Sequence, residues 1–157
     1  MIGRHRPDGA AFRAQVAERG LTAFFEFSDE ELTYRDFYAL VASTRFVLPL
    51  VDSSSEAYET YYQHKLTSSL PISIGMGIVP IVERGLARLY QLEDHSIVYD
   101  TGHLAQAMRT ALAISQQSYD RMKNGLDFER QMLLQASTVN LRRLLSGMGV
   151  RLREWVA

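Results

Sequence analysis

The residues best suited to chemistry lie in one run, Lys65-Leu66-Thr67-Ser68-Ser69-Leu70-Pro71. Proline is tolerated in the first turn of a helix, so a helix starting near Ser69 accommodates Pro71. Such a start presents unbonded backbone N–H groups and a partial positive charge. Lys65 adds a full charge just upstream, and the three hydroxyls add donors. Together Lys65, Thr67, Ser68 and Ser69 can hold a diphosphate without a metal ion. The same residues also read as an ordinary hydroxyl-capped helix beside a solvated lysine. Both readings stand at this point.

Other polar clusters offer less. Arg4, His5 and Arg6 follow a short apolar start and either face a phosphate or form a polar surface turn. Asp29-Glu30-Glu31 reads as solvated charge at a helix entry, because three consecutive acids do not converge on one ion. His64, His95 and His103 lack metal-ligand spacing, so no zinc site is expected. Tyr58, Tyr61 and Tyr62 either stack on a base or sugar or pack as an aromatic rim. Gly-x-Gly-x-x-Gly, Walker and Gly-x-Ser-x-Gly motifs are all missing, which argues against nicotinamide, P-loop and serine-hydrolase chemistry.

The totals narrow the field further. At 157 residues, 46% hydrophobic and 22% charged, the chain has the composition of one globular domain. Seventeen basic against eighteen acidic side chains leave a net charge of -1, so nothing in the totals suggests an electrostatic nucleic-acid binder. There are no cysteines, so disulfides, thiolate metal sites and thiol nucleophiles are excluded. The N-terminus lacks the apolar stretch of a signal peptide, and the nearly uncharged run Thr67–Val82 is broken by Pro71 and Pro80. A cytoplasmic protein without a transmembrane segment is the expectation.

Short apolar runs alternate with helical patterns along the chain. Strands are expected at Met1–Gly3, Ala23–Phe27, Phe46–Leu50, Val79–Val82 and Ser96–Tyr99. Helices are expected from Pro7 to Gly20, from a cap at Thr33, from Ser69 to Gly77 and over Arg84–Leu92. Asp52–His64 reads as a functional loop or short helix. Two helices close the chain, one capped by Thr101 with Leu104, Met108, Ala111 and Leu112 inward. The other opens at Asp127 with Met132, Ala136, Val139 and Leu144 as its buried stripe, and Asn124-Gly125 separates the two. This alternation predicts an α/β fold: a Rossmann-like parallel sheet with helices on both faces, plus C-terminal helices. One domain over residues 1–157 is expected, with the sheet core in 1–100 and helices and tail in 101–157. Ligands of such sheets bind beyond the carboxyl ends of the strands. The segments to search are therefore Gly3–Asp8, Phe27–Leu32, Leu50–Ser69, Val82–Gly85 and Tyr99–Gly102.

The ordered set of segments resembles the C-terminal, donor-binding domain of glycosyltransferases with two Rossmann-like domains (the GT-B architecture), especially the glycogen-synthase-like group. Met1-Ile2-Gly3-Arg4 and the helix ending at Gly20-Leu21 resemble that domain's second strand and helix, and Phe24–Phe27 its third strand. Tyr38–Pro49 is similar to its helix-then-strand segment ending in proline. Gly77-Ile78-Val79-Pro80-Ile81-Val82 resembles its small-residue helix end and buried strand, and Ile97–Leu112 its last strand and helix. The chain departs from the family at Ile72, where the second of two donor-contacting glutamates would fall. Lys-x-Thr-Ser-Ser occupies that region, as in a variant branch.

The resemblance implies transfer of a sugar from a nucleotide-diphosphate sugar, with no cofactor and no metal. Lys65, Thr67, Ser68 and Ser69 would hold the donor diphosphate, and Glu56 would make an acidic donor contact, although a solvated loop glutamate is its bland alternative. The loop Phe27–Leu32, including Ser28, would contact the base, and Arg4 the phosphates. The family's sheet order, 3-2-1-4-5-6, also implies a first strand and an acceptor domain before Met1. The expectation is accordingly an inactive fragment, marginally stable or self-associating, that needs its missing acceptor domain or a partner chain. Two other readings remain: a stand-alone flavodoxin-like phospho-ligand module with order 2-1-3-4-5, and a non-catalytic interaction domain docking through Phe128–Trp155.

Overall fold

The computed structural model describes residues 7–27, 32–51, 53 and 56–148. The chain divides into two compact units, Met1–Thr44 and Arg45–Ala157. The expected strand Met1–Gly3 and the Trp155 tail lie outside the described residues.

In the first unit, helix α1 spans Pro7–Glu18. It ends as Gly20 predicts: Gly20 turns left-handed at φ 66°, and the Leu21 N–H reaches back to the Val16 carbonyl at 2.9 Å. Helix α2, Tyr34–Ala42, starts where Thr33 accepts a hydrogen bond from the Asp36 N–H. The strand expected at Ala23–Phe27 does not form. Thr22–Phe24 is a 3-10 turn, closed by N–H groups of Phe24 and Phe25 on the carbonyls of Leu21 and Thr22. The phenyl rings that suggested a strand instead cluster locally. Phe25 stacks on Phe27 at 5.9 Å, and both meet the Phe12 ring edge-on.

The second unit holds a parallel sheet in the order β1 (Phe46–Val47), β2 (Val79–Glu83), β3 (Ile97–Tyr99). All five residues of β2 are buried: Val79–Val82 as an unbroken apolar run, and Glu83 with its carboxylate hydrogen-bonded at the strand end. Pro80 is accepted in this middle strand because the pairings are staggered: β1 pairs at Val79 and Pro80, and β3 from Ile81 onward. Helices α3 (Glu59–Gln63) and α4 (Ser69–Met76) lie in the β1–β2 crossover, and α5 (Arg84–Leu89) in the next. Beyond the sheet follow α6 (Leu104–Ala113) and α7 (Gln116–Gly147).

Helices cover both faces of this sheet. Val82, with Val98 packed alongside, belongs to a core with Leu70 and Ile74 of α4, Leu86 and Ala87 of α5, and Leu126 of α7. Ile81, Ile97 and Tyr99 pack against Ala107 and Ala111 of α6. Both crossovers sit on one face because successive strands step in one direction, and crossover handedness does not change. The fold is a Rossmann-like α/β arrangement with C-terminal helices.

The C-terminal helices differ from expectation in four ways. His103, not Thr101, occupies the N-cap of α6, and Met108 and Leu112 are exposed rather than inward. Asn124-Gly125 does not separate two helices, since α7 runs unbroken through both. Met132, Val139 and Leu144 are exposed, as is Ala136, so the expected buried stripe has no core beneath it. The periodicity is real, but no described part of the unit lies against it.

Candidate functional site

Polar side chains gather where the strands end. Glu83, the last residue of β2, is buried, and its carboxylate accepts from the N–H of Gly85 at 2.8 Å and of Leu86 at 3.4 Å. It thereby caps α5 and also accepts from the Tyr62 hydroxyl at 2.9 Å. The next residue, Arg84, forks onto Asp100 just beyond β3, with Nε–Oδ1 at 2.6 Å and Nη2–Oδ2 at 3.3 Å. That hydrogen bond holds the Asp100 carboxyl below its ordinary range and raises the Arg84 guanidinium above its own. Ser53 and Thr101 share a hydroxyl hydrogen bond of 3.0 Å, which ties the loop after β1 to the end of β3.

A hollow of about 320 Å³ opens beside this edge, lined by Tyr99, Asp100, His103, Gln106 and Thr110 among others. The His103 Nδ1 lies 3.1 Å from the Thr101 carbonyl. A carbonyl only accepts, so Nδ1 carries the proton and, in the neutral ring, Nε2 is the acceptor.

Glu83→Ala is expected to cost about 1–2 kcal/mol, because it removes the cap of α5 and strands buried donors. Urea unfolding measures this. An unchanged midpoint would mean that the carboxylate does not hold the helix start.

The run singled out by its residue types lies in the β1–β2 crossover. Lys65 is exposed, and its ammonium sits 4.6 Å from the centre of the Tyr61 ring. Thr67 is buried: its N–H donates to the Tyr90 hydroxyl at 3.2 Å, and its Oγ1 accepts from the Ser69 N–H at 3.3 Å. Ser68 takes the N-cap position of α4, and its side chain makes no capping bond. The start of α4 is thus held by Thr67, while Lys65 and Ser68 lie on the exposed side. The backbone N–H groups of Thr67 and Ser69 are engaged within the chain and do not point outward to a ligand.

No protein-family model, curated protein or solved structure matches this chain. Its own geometry therefore carries the functional reading.

Glu56 is exposed and opens the 3-10 turn Glu56–Tyr58. Arg4, Ser28 and the acids Asp29, Glu30 and Glu31 lie outside the described residues. The tyrosines act as packing: Tyr58, Tyr61 and Tyr62 all lie against the core of α4, α5 and β2. Among the described residues no group of three or more His, Asp or Glu is placed to hold a metal ion. None of their helices is long and apolar enough to cross a membrane. Val82–Gly85 and Tyr99–Gly102 are among the segments where a ligand is expected, but residue type alone points to no role for Glu83, Arg84 or Asp100 and to a helix cap for Thr101. The only local signal of the first three is a polar residue directly after an apolar strand.

Proposed function

We propose that this chain binds the diphosphate of a nucleotide-diphosphate sugar and forms the donor half of a glycosyltransferase. One observation carries the reading. An exposed lysine precedes by two residues a buried threonine that pins the start of α4, in the crossover that follows β1. Lys65 supplies the charge and the Ser68 hydroxyl a donor, while the α4 terminus adds its partial positive charge. The sequential order β1-β2-β3 supports the same reading, since the last three strands of a 3-2-1-4-5-6 sheet also run in sequence. In the transfer step, this positive site would stabilise charge developing on the departing diphosphate. Binding needs no metal ion, because the lysine and the helix terminus neutralise the anion.

Calorimetry with UDP, GDP and ADP, with and without a chelator, tests the proposal. One nucleoside diphosphate is expected to bind in both conditions, and Lys65→Ala should weaken it about tenfold, the value of one charge-assisted contact. Absence of binding by all three, or equal affinity in the variant, would overturn the assignment. Binding that needs a divalent ion would remove its metal-free part. Preference for flavin mononucleotide would instead favour a phospho-ligand module.

A further inference from the structure

The hollow at the end of β3 has no part in the diphosphate reading, and none of its lining residues belongs to the Lys65–Ser69 run. β3 is the last strand of the sheet, and α6 packs against it through Ala107 and Ala111. The hollow takes its walls from both. Val98 and Ala107 are apolar, while Asp100, His103, Gln106 and Thr110 are polar.

The polar wall is held by bonds within the chain. The His103 N–H donates to the Asp100 carbonyl at 2.9 Å, closing the turn that leads into α6. Arg84 fixes the Asp100 side chain, and the Ser53–Thr101 hydrogen bond fixes the next residue. A wall fixed before its ligand arrives loses less entropy on binding.

What this wall presents to a ligand follows from the bonds already made. An ionised carboxylate accepts about four hydrogen bonds. Arg84 supplies two of them to Asp100, which leaves spare lone pairs. The Thr110 hydroxyl gives its proton to the Gln106 carbonyl at 3.2 Å, so its oxygen is left as an acceptor. His103 gives its Nδ1 proton to the Thr101 carbonyl, so Nε2 is left as an acceptor. The Gln106 side-chain amide both donates and accepts.

The wall is therefore rich in acceptors, and the charge of Asp100 is already matched by Arg84. No lysine or arginine is among the described lining residues, so a phosphate would meet a carboxylate with no free cation beside it. An apolar ligand would strand the polar groups. A ligand with several neutral O–H groups satisfies the acceptors and leaves the Arg84–Asp100 pair intact. The hollow, about 320 Å³, lies at the small end of the range of about 300–1,000 Å³ for ligand sites. It has room for one ring and not for a nucleotide.

We propose that the hollow between β3 and α6 binds a small neutral polyhydroxyl compound, a monosaccharide or cyclic polyol, through Asp100, His103, Gln106 and Thr110. The proposal does not rest on the diphosphate reading.

Titration of the full chain with D-glucose, D-galactose, D-mannose and myo-inositol tests it, followed by NMR through the backbone amides of residues 103–110. At least one of the four is expected to shift these amides saturably in the millimolar range, as suits a ligand of so few atoms. Gln106→Leu and Thr110→Val should each weaken that binding about fivefold, the loss of one neutral hydrogen bond. Both side chains are exposed, and circular dichroism melts verify that each variant is folded. Leu112 is exposed on the same helix and outside the lining, so Leu112→Ala should leave the affinity unchanged. Absence of a saturable shift with all four compounds overturns the proposal, as does binding that both lining variants leave at the parent value. Inorganic phosphate shifting the same amides at lower concentration than all four would overturn the neutral ligand class.

Discussion

Leu126→Ala is expected to lower the unfolding free energy by about 2–5 kcal/mol, the range for deleting a buried leucine side chain. Leu126 has 0% exposure and is the only residue of the 32-residue helix α7 that is fully buried. It sits in the core shared by Leu70, Val79, Val82, Leu86 and Leu92. Truncation leaves a cavity that those neighbours fill only in part, because they belong to three different elements and a loop. It also loosens α7 from the sheet, so the loss falls toward the upper end if the helix detaches. Against a typical domain stability of about 5–15 kcal/mol, such a change is large. Urea unfolding should show it as a lower midpoint, with Leu134→Ala as the control. Leu134 is 63% exposed, and its truncation should stay within about 0.5 kcal/mol. If the two variants lose equal stability, α7 is not anchored through Leu126.

The second large effect concerns Gly125, and its sign opposes helix propensity. Gly→Ala inside a helix normally gains about 1 kcal/mol. Here a Cβ at Gly125 would collide with Nδ1 and Cε1 of His95 and lie 2.8 Å from its Cγ. Contacts that short force the ring away from α7, and forced repacking costs about 1–3 kcal/mol. Gly125→Ala is therefore expected to destabilise the protein despite its better propensity. In a His95→Ala background the collision is gone, and the same substitution should stabilise by up to about 1 kcal/mol. A double-mutant cycle read by urea unfolding measures both signs. Stabilisation by Gly125→Ala in the parent protein would show that the ring does not fill this position.

Much of the local structure was legible from residue types. Gly20 and Gly77 mark helix ends because each sits at positive φ, 66° and 63°, where a side chain is strained. Thr33 marks a helix start because its hydroxyl satisfies a free N–H. Val79–Val82 reads as a strand covered on both faces because it is apolar at every position, and the structure covers it with α6 on one side and α4, α5 and α7 on the other. Thr67 to Ser69 reads as a helix start for the same reason as Thr33, and the Thr67 hydroxyl oxygen accepts from the Ser69 N–H.

What the tertiary structure decided involves residues far apart in the chain. Asn124-Gly125 looks like a break when only neighbours along the chain are counted. The helix continues there because Leu126 is buried beside it and the His95 ring occupies the space a Cβ would take. Ala23–Phe27 has the composition of a strand, but a strand needs a hydrogen-bonded neighbour, and its phenyl rings found Phe12 instead. The Met132, Ala136, Val139 and Leu144 stripe has helical periodicity, yet periodicity does not say whether a core or a partner lies opposite. The Arg84–Asp100 pair follows from register. Glu83 pairs with Tyr99, so the residues just beyond them become neighbours at the strand ends. Sequence determined which segments could turn, cap and bury; strand register and packing across the sheet determined which polar residues meet.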